Sequence, residues 1–422
     1  MFTAPRCALA VILSLGLASQ VNAADLAVVG ARIYPSPRAA PIEAGTVLVH
    51  DGRIAALGPR DKVKVPAGAQ VIDGAGKVVT AGFWNSHVHF MPPPLLHGGQ
   101  SSAAELDGVL DAMLNRWGFT GVVDLASLMD GTLQVRARIA KGEVRGPTIL
   151  TCGEPFYPPS GPPIYVRGYL AEQHLSLPDD HGSTTAAVAR EKAELARGAN
   201  CVKLFTGDIV GGKIGVEPMD LGFAKALVAE AHREHRPVFA HPTNQQGLDV
   251  ALDSGVDILA HTADGSGPWS AALVKRMIGQ HTALIPTLTL FEVEGHKNHN
   301  PPDEIVKVEA LVQGQLRAFH AAGGQVLFGT DVGYTDAFDT TEEYRLMAAA
   351  GLDWRAILAS LTVNPADRFG YGARKGTLAV GRDGDLVVLD ADPAKDVTAF
   401  AKVADTVRAG RIIYPESPGA AK

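Results

Sequence analysis

Cysteine is scarce in this chain, three in 422 residues. A small disulfide-knit scaffold is therefore excluded, and no two cysteines have the spacing that holds zinc. Cys7 lies in the first few residues, while Cys152 and Cys201 each fall inside an apolar, strand-like run. An oxidising compartment would permit a bridge between the last two, but their places in separate buried runs favour isolated thiols. Positive charge is also short: 38 Lys and Arg stand against 45 Asp and Glu, a formal net charge of −7. That balance offers nothing to nucleic acid or to an anionic lipid surface. Nor does any stretch approach the roughly 20 apolar residues that a membrane-spanning helix needs.

What is present begins with a leader. Residues 1–23 carry Arg6, an apolar run at 8–18 (ALAVILSLGLA) and a small-residue cleavage site, Val21-Asn22-Ala23. They read as a secretory signal peptide, which implies a soluble mature protein in the periplasm or outside the cell, without a membrane span. With 46% hydrophobic and 20% charged residues, the remainder has ordinary globular composition. Its length calls for a large core and a smaller satellite.

The two chain ends are written alike. Residues 24–78 give short strands broken by turns, with Asp51-Gly52 as a hairpin signal between two apolar runs. Residues 368–422 resume that style in GTLAVGRDGDLVVLDADP and VRAGRIIYP. A small β-sandwich built from both ends is expected, with 79–367 as an inserted domain. The insert alternates apolar runs with amphipathic helices, the pattern of a parallel α/β fold. Eight runs can be counted, near 78–90, 119–127, 147–153, 199–207, 237–242, 256–262, 282–290 and 325–331. Eight parallel strands close a (β/α)8 TIM barrel, whose chemistry sits at the carboxyl ends of its strands. Among the intervening helices, 220–235 has Phe223, Leu227 and Ala231 at i+4 on one face and Asp220 placed as N-cap.

Metal-ligand residue types lie at or near those carboxyl ends: His87 and His89, Lys203, His241, His261 and Asp331. The i, i+2 spacing in AGFWNSHVHF points both imidazoles of the first pair to one side of an extended strand, where they could share one ion. Taken in order, these residues resemble the amidohydrolase superfamily, and most of all its imidazolonepropionase-like branch of dipeptidases, carboxypeptidases and ochratoxin-cleaving amidases. The resemblance extends through Asn364-Pro365-Ala366 into KGTLAVGRDGDLVVLD.

The resemblance implies two divalent metal ions, zinc being the natural choice. His87, His89 and Asp331 would hold one and His241 and His261 the second, with a CO2-derived carbamate on Lys203 bridging both. Neutral imidazoles suit zinc-like ions, and two ions about 3.5–4 Å apart make a bridging water acidic enough to be hydroxide near neutral pH. An unmodified ammonium would repel the cations and would be costly toward a barrel interior, so Lys203 fits there only as the carbamate anion. Asp331 is the expected catalytic general base, taking a proton during attack and passing it to the leaving nitrogen. Two departures from the family pattern stand out. Ala81 and Asn85 replace the usual proline and aspartate before the histidine pair, and His241-Pro242-Thr243-Asn244 stands where dipeptidases often have His-Ala-His-Gly.

Substrate contacts are expected from loops at 91–99, 154–168, 208–220 and 334–339, with Tyr157, Tyr165 and Arg167 as the candidates. Arg167 could grip a substrate carboxylate with both nitrogens or simply staple its loop. His97, His232, His235, His296 and His299 read as surface or loop residues, and Gly211-Gly212 as a flexible loop. The expected activity is metal-dependent hydrolysis of an amide or peptide-like C–N bond in a small molecule, of N-acyl amino acid or dipeptide type. Two alternatives are a mononuclear cyclic-amide hydrolase or deaminase of the same fold, and a non-catalytic metal-containing binding protein of the envelope. Assembly as a homo-oligomer is left open.

Overall fold

The computed structural model describes residues 25–416. The leader expected at 1–23 lies outside the described residues. The chain opens with strands β1 (Leu26–Ile33), β2 (Ile42–His50), β3 (Arg53–Pro59), β4 (Gln70–Asp73) and β5 (Val78–Ala81). It continues through β6 (Phe83–Val88), β7 (Phe119–Asp124), β8 (Thr148–Thr151), β9 (Val202–Phe205), β10 (Gly207–Gly211) and β11 (Gly215–Pro218). Next come β12 (Val238–His241), β13 (Ile258–Ala260) and β14 (Ala283–Ile285), and the chain closes with β15 (Leu386–Leu389), β16 (Val403–Arg408) and β17 (Arg411–Tyr414).

Both chain ends enter one eight-stranded sheet, ordered β17-β16-β15-β5-β1-β2-β3, with β4 pairing on β1. The join is made by β15, which runs antiparallel to β5 from Leu386 opposite Ala81 to Leu389 opposite Val78. The Asp51-Gly52 signal is the turn of the β2–β3 hairpin; His50 faces Arg53, and both turn residues have positive φ, 46° and 73°. That is the backbone twist a two-residue hairpin turn requires.

The middle of the chain forms two parallel sheets, β6-β7-β8 and β14-β13-β12-β9. Every residue of β6, β7 and β9 is buried, as expected of strands covered on both faces. The two sheets approach along two seams. Asn200 N–H donates to Thr151 O at 2.7 Å and Phe156 bridges to Leu204, joining the β8 side to β9. On the other side, residues 325–332 pass between β14 and β6: Val326 bridges to Leu284 and Val332 to Val88. The intervening helices follow the sequence closely where they are strongly periodic. Helix Leu221–Arg233 buries Phe223, Leu227 and Ala231, and the Asp220 carboxylate accepts from Phe223 N–H at 2.8 Å.

Three expectations need correcting. The run 78–90 is two strands, because Gly82 breaks it; a Cβ there would meet the Thr120 hydroxyl oxygen at 2.1 Å. The run 282–290 is a strand only to Ile285, after which Leu288–Lys297 is helical. The cysteines are bonded to each other, with Cα atoms 4.4 Å apart. Their runs are distant in sequence but lie side by side across the β8–β9 seam, which brings both side chains into one buried cluster with Trp84, Phe239 and Leu327.

Candidate metal centre and its cavity

Five elements deliver the candidate ligands. His87 is the last residue but one of β6 and His89 follows the strand, Lys203 is the second residue of β9, His241 ends β12, His261 follows β13, and Asp331 lies in the irregular segment beside β6. The two histidines of the first strand and Asp331 converge. Asp331 Oδ1 is 2.9 Å from His87 Nε2 and 2.8 Å from His89 Nε2, and the two nitrogens are 3.2 Å apart. The His261 ring lies between the others, its centroid 4.6 Å from His87 and 4.7 Å from His241. Lys203 Nζ is 5.4 Å from the centre of Phe205, whose ring stacks on His241 at 4.8 Å.

The local backbone is held in unusual conformations to do this. Asp331 has φ of 62° and His261 of 149°, regions that L residues with side chains rarely adopt. Such outliers concentrate at functional sites, where surrounding structure maintains the strain. Around Asp331 that support is visible: its N–H donates to His87 O at 3.0 Å, and Gly333 allows the chain to press against His89, where a Cβ would come within 1.8 Å of the carbonyl oxygen.

The donor chemistry fits divalent metal. Burial drives His87 down to about 3 and lowers His241 and His261 as well, so all three are neutral at neutral pH. His89 Nδ1 faces Ala126 O at 3.3 Å, and a carbonyl only accepts, so Nδ1 carries the ring proton. Its Nε2 therefore turns a lone pair toward another lone pair on Asp331. A cation among these atoms converts that repulsion into coordination. His87, His89 and Asp331 are accordingly a group able to hold an ion among the described residues.

Asn85, where the family pattern has aspartate, accepts from His87 N–H at 3.1 Å and donates to Thr330 Oγ1 at 2.7 Å. This second bond ties the first ligand strand to the Asp331 segment. Lys203 is 1% exposed, and among the described residues no hydrogen bond or ion pair reaches its Nζ. Burial pulls its ammonium down to about 7, against the opposing pull of Asp331.

Above these groups opens a cavity of about 390 Å³ with His87, His89, Lys203, His241, His261 and Asp331 at its floor. Its walls are mostly apolar, including Met91, Leu128, Leu170 and Phe291. A family model described as the amidohydrolase family matches residues 78–413. The chain belongs to the amidohydrolase family.

This amidohydrolase is 22% identical over 362 residues to ochratoxinase of Aspergillus niger, a match covering 76% of this chain and 72% of that one. A solved Xaa-Pro dipeptidase with bound methionine superposes with a TM-score of 0.77 at 18% identity, covering 92% of this chain and 99% of its own. A putative prolidase from Bifidobacterium longum gives 0.74 at 24% identity, covering 94% and 96%. The amidohydrolase thus has a TIM-barrel-type fold with an extra domain, and it is a hydrolytic enzyme acting on C–N bonds.

Tyr157 and Tyr165 both line the cavity of the amidohydrolase, and Tyr165 packs against Tyr334 with centroids 5.2 Å apart. Arg167 does not line it. Its exposed guanidinium donates to Pro162 O at 2.6 Å and Ser160 O at 2.8 Å, stapling its own loop. The histidines read as peripheral, His97, His232, His235, His296 and His299, are exposed. Sequence reasoning missed the wall formed by helix Leu288–Lys297, which supplies Leu290, Phe291, Glu294 and Lys297. Pro286 was the available signal, since proline sits poorly inside a buried parallel strand. It also missed Asp264, three residues beyond His261 at the cavity wall.

Proposed function

We propose that this protein is an exported, binuclear metal-dependent amidohydrolase that cleaves an amide or peptide-like bond in a small molecule of N-acyl amino acid or dipeptide type. The observation that carries the binuclear reading is Lys203, buried, without a hydrogen-bond or ion-pair partner among the described residues, beside neutral histidines and Asp331. Drawn down to about 7, a good share of its side chain is free amine near neutral pH. A free amine adds to CO2 through nitrogen and loses a proton, giving the carbamate anion that could bridge two ions. His87, His89 and Asp331 would hold one ion and His241 and His261 the other. Closure of the eight parallel segments into a barrel would bring all these groups to one mouth, and the seams at β8–β9 and around residues 325–332 support that arrangement.

Divalent ions, when bound, supply Lewis acidity and an acidic water. The chain supplies the rest. Asp331 accepts the proton released as water attacks the carbonyl carbon and returns it to nitrogen as the C–N bond breaks. The Asn85–Thr330 bond fixes the Asp331 segment against the first histidine strand, and the apolar walls seat the non-reacting part of the substrate while excluding water. The test is amine release from dipeptides and N-acyl amino acids by zinc-loaded protein lacking residues 1–23. Cleavage supports the proposal, and its absence across the whole library overturns the substrate class.

A mononuclear cyclic-amide hydrolase or deaminase remains the second reading, favoured by one observation: only His87, His89 and Asp331 approach closely enough to share an ion, among the described residues. Metal content separates the two. Lys203→Ala should lose one of two ions under the first reading and change nothing under the second.

A further inference from the structure

Helix Leu288–Lys297 begins without a cap of its own. Thr287, the residue before it, has φ of 44°, and its side chain makes no capping bond. A β-branched residue rarely adopts that conformation, so something must hold it there. The support comes from another helix, Thr341–Ala349. Glu343, 1% exposed, accepts from Leu288 N–H at 2.9 Å on one oxygen, and from Thr289 N–H and Thr289 Oγ1, both at 2.8 Å, on the other. The orphan donors at the start of the helix are thus satisfied by a carboxylate 55 positions away in sequence.

With its backbone pinned in this way, Thr287 places its hydroxyl 2.6 Å from His261 Nδ1 and 2.9 Å from Pro286 O. The hydroxyl has one proton, and the carbonyl can only accept. The proton therefore goes to Pro286 O, which leaves the hydroxyl oxygen to accept from His261 Nδ1–H. A neutral imidazole protonated at Nδ1 keeps its lone pair on Nε2.

We infer that Thr287 and Glu343 are positioning residues for His261: Glu343 fixes the strained turn, and the Thr287 hydroxyl selects the tautomer that leaves Nε2 free to bind a metal ion. The inference rests on the reading of His261 as a ligand but extends it to two residues that touch neither substrate nor ion. Orienting partners of this kind typically change metal affinity 10–100-fold when removed.

The test uses 15N-histidine NMR of the metal-free protein, followed by zinc titration, on wild type, Thr287→Val, Thr287→Ser and Glu343→Gln. Wild type and Thr287→Ser should show His261 as the pure Nδ1–H tautomer, with Nε2 shifting on zinc. Thr287→Val, which keeps the shape and loses the hydroxyl, should show mixed tautomers and zinc affinity at His261 weakened by about 10–100-fold. Glu343→Gln, with one oxygen in place of two, should move the same signals in the same direction by less. The inference is overturned if Thr287→Val keeps the wild-type tautomer and affinity, or if Thr287→Ser loses them equally. Failure of the underlying site reading looks different: wild-type His261 would then ignore zinc altogether.

Discussion

Among the described residues two lysines are buried, and they are buried for different ends. Lys375, 9% exposed at the base of the terminal sheet, pairs with Asp385 and lies 3.4 Å from Asp383. Arg374 also pairs with Asp383, at 3.0 Å, so the charges there are balanced within the protein. Lys203, 1% exposed at the floor of the cavity, has no such partner among the described residues. The first is a closed ion-pair network that fastens 374–385. The second is incomplete among the described residues, and the proposed CO2-derived carbamate would complete it. A buried charge without partners is costly, and proteins retain such groups where chemistry needs them.

Removing each lysine should therefore produce opposite phenotypes. Lys203→Ala has the largest expected effect on function: turnover falls to background and one ion is lost from the loaded protein, while the metal-free protein is at least as stable as metal-free wild type because an unsatisfied group has gone. Metal analysis of the loaded protein and thermal melting of the metal-free protein check both halves. Lys375→Met should instead leave metal content and turnover intact and destabilise the fold. Breaking a buried pair costs about 3–5 kcal/mol, and the low end is expected because Arg374 still serves Asp383. Chemical denaturation would measure it.

Glu191 extends the comparison to acids. It is 1% exposed with neither oxygen bonded among the described residues, and burial, then Glu230 and Glu194, raise it from 4.5 to about 8. A carboxyl raised on folding binds more protons in the native state. Its contribution to stability is thus complete below about pH 4.5 and is lost as pH rises through about 8. Glu191→Gln should flatten the fall in melting temperature between those limits; a slope identical to wild type would assign the titration elsewhere. The smallest effect is expected for Arg167→Ala. Because among the described residues its guanidinium hydrogen-bonds to carbonyls of its own loop alone, stability should change by no more than about 0.5 kcal/mol. A large rise in KM confined to substrates bearing a carboxylate would show that the loop rearranges to present Arg167 to the cavity.

The same contrast between self-sufficient and incomplete groups governs what could be read from the sequence. Buried parallel strands announce themselves as apolar runs, so β7, β8, β9, β12 and β13 were legible, and with them the candidate ligands on or just after β9, β12 and β13. Segment 325–331 was legible as a run, although it joins its neighbours by isolated bridges instead of a regular ladder. Helix Leu288–Lys297 was hidden because Thr-Leu-Thr-Leu alternates like a strand, and the capping carboxylate that makes it a helix, Glu343, lies far along the chain. The Cys152–Cys201 bond was hidden for a related reason: adjacency across a seam between sheets is a tertiary fact that neither run records. Arg167 was ambiguous by chemistry, since a guanidinium suits a substrate carboxylate and a backbone carbonyl equally well.

The central claim, that Lys203 is completed by CO2, can be tested directly. Wild type and Lys203→Ala would be reconstituted with zinc and 13C-bicarbonate and compared by 13C NMR. A carbamate carbon signal in the wild type alone, matched by a second ion per chain, is the predicted result. Fully metallated, active wild type without that signal would contradict the account, and would leave Lys203 an unmodified amine at a mononuclear site.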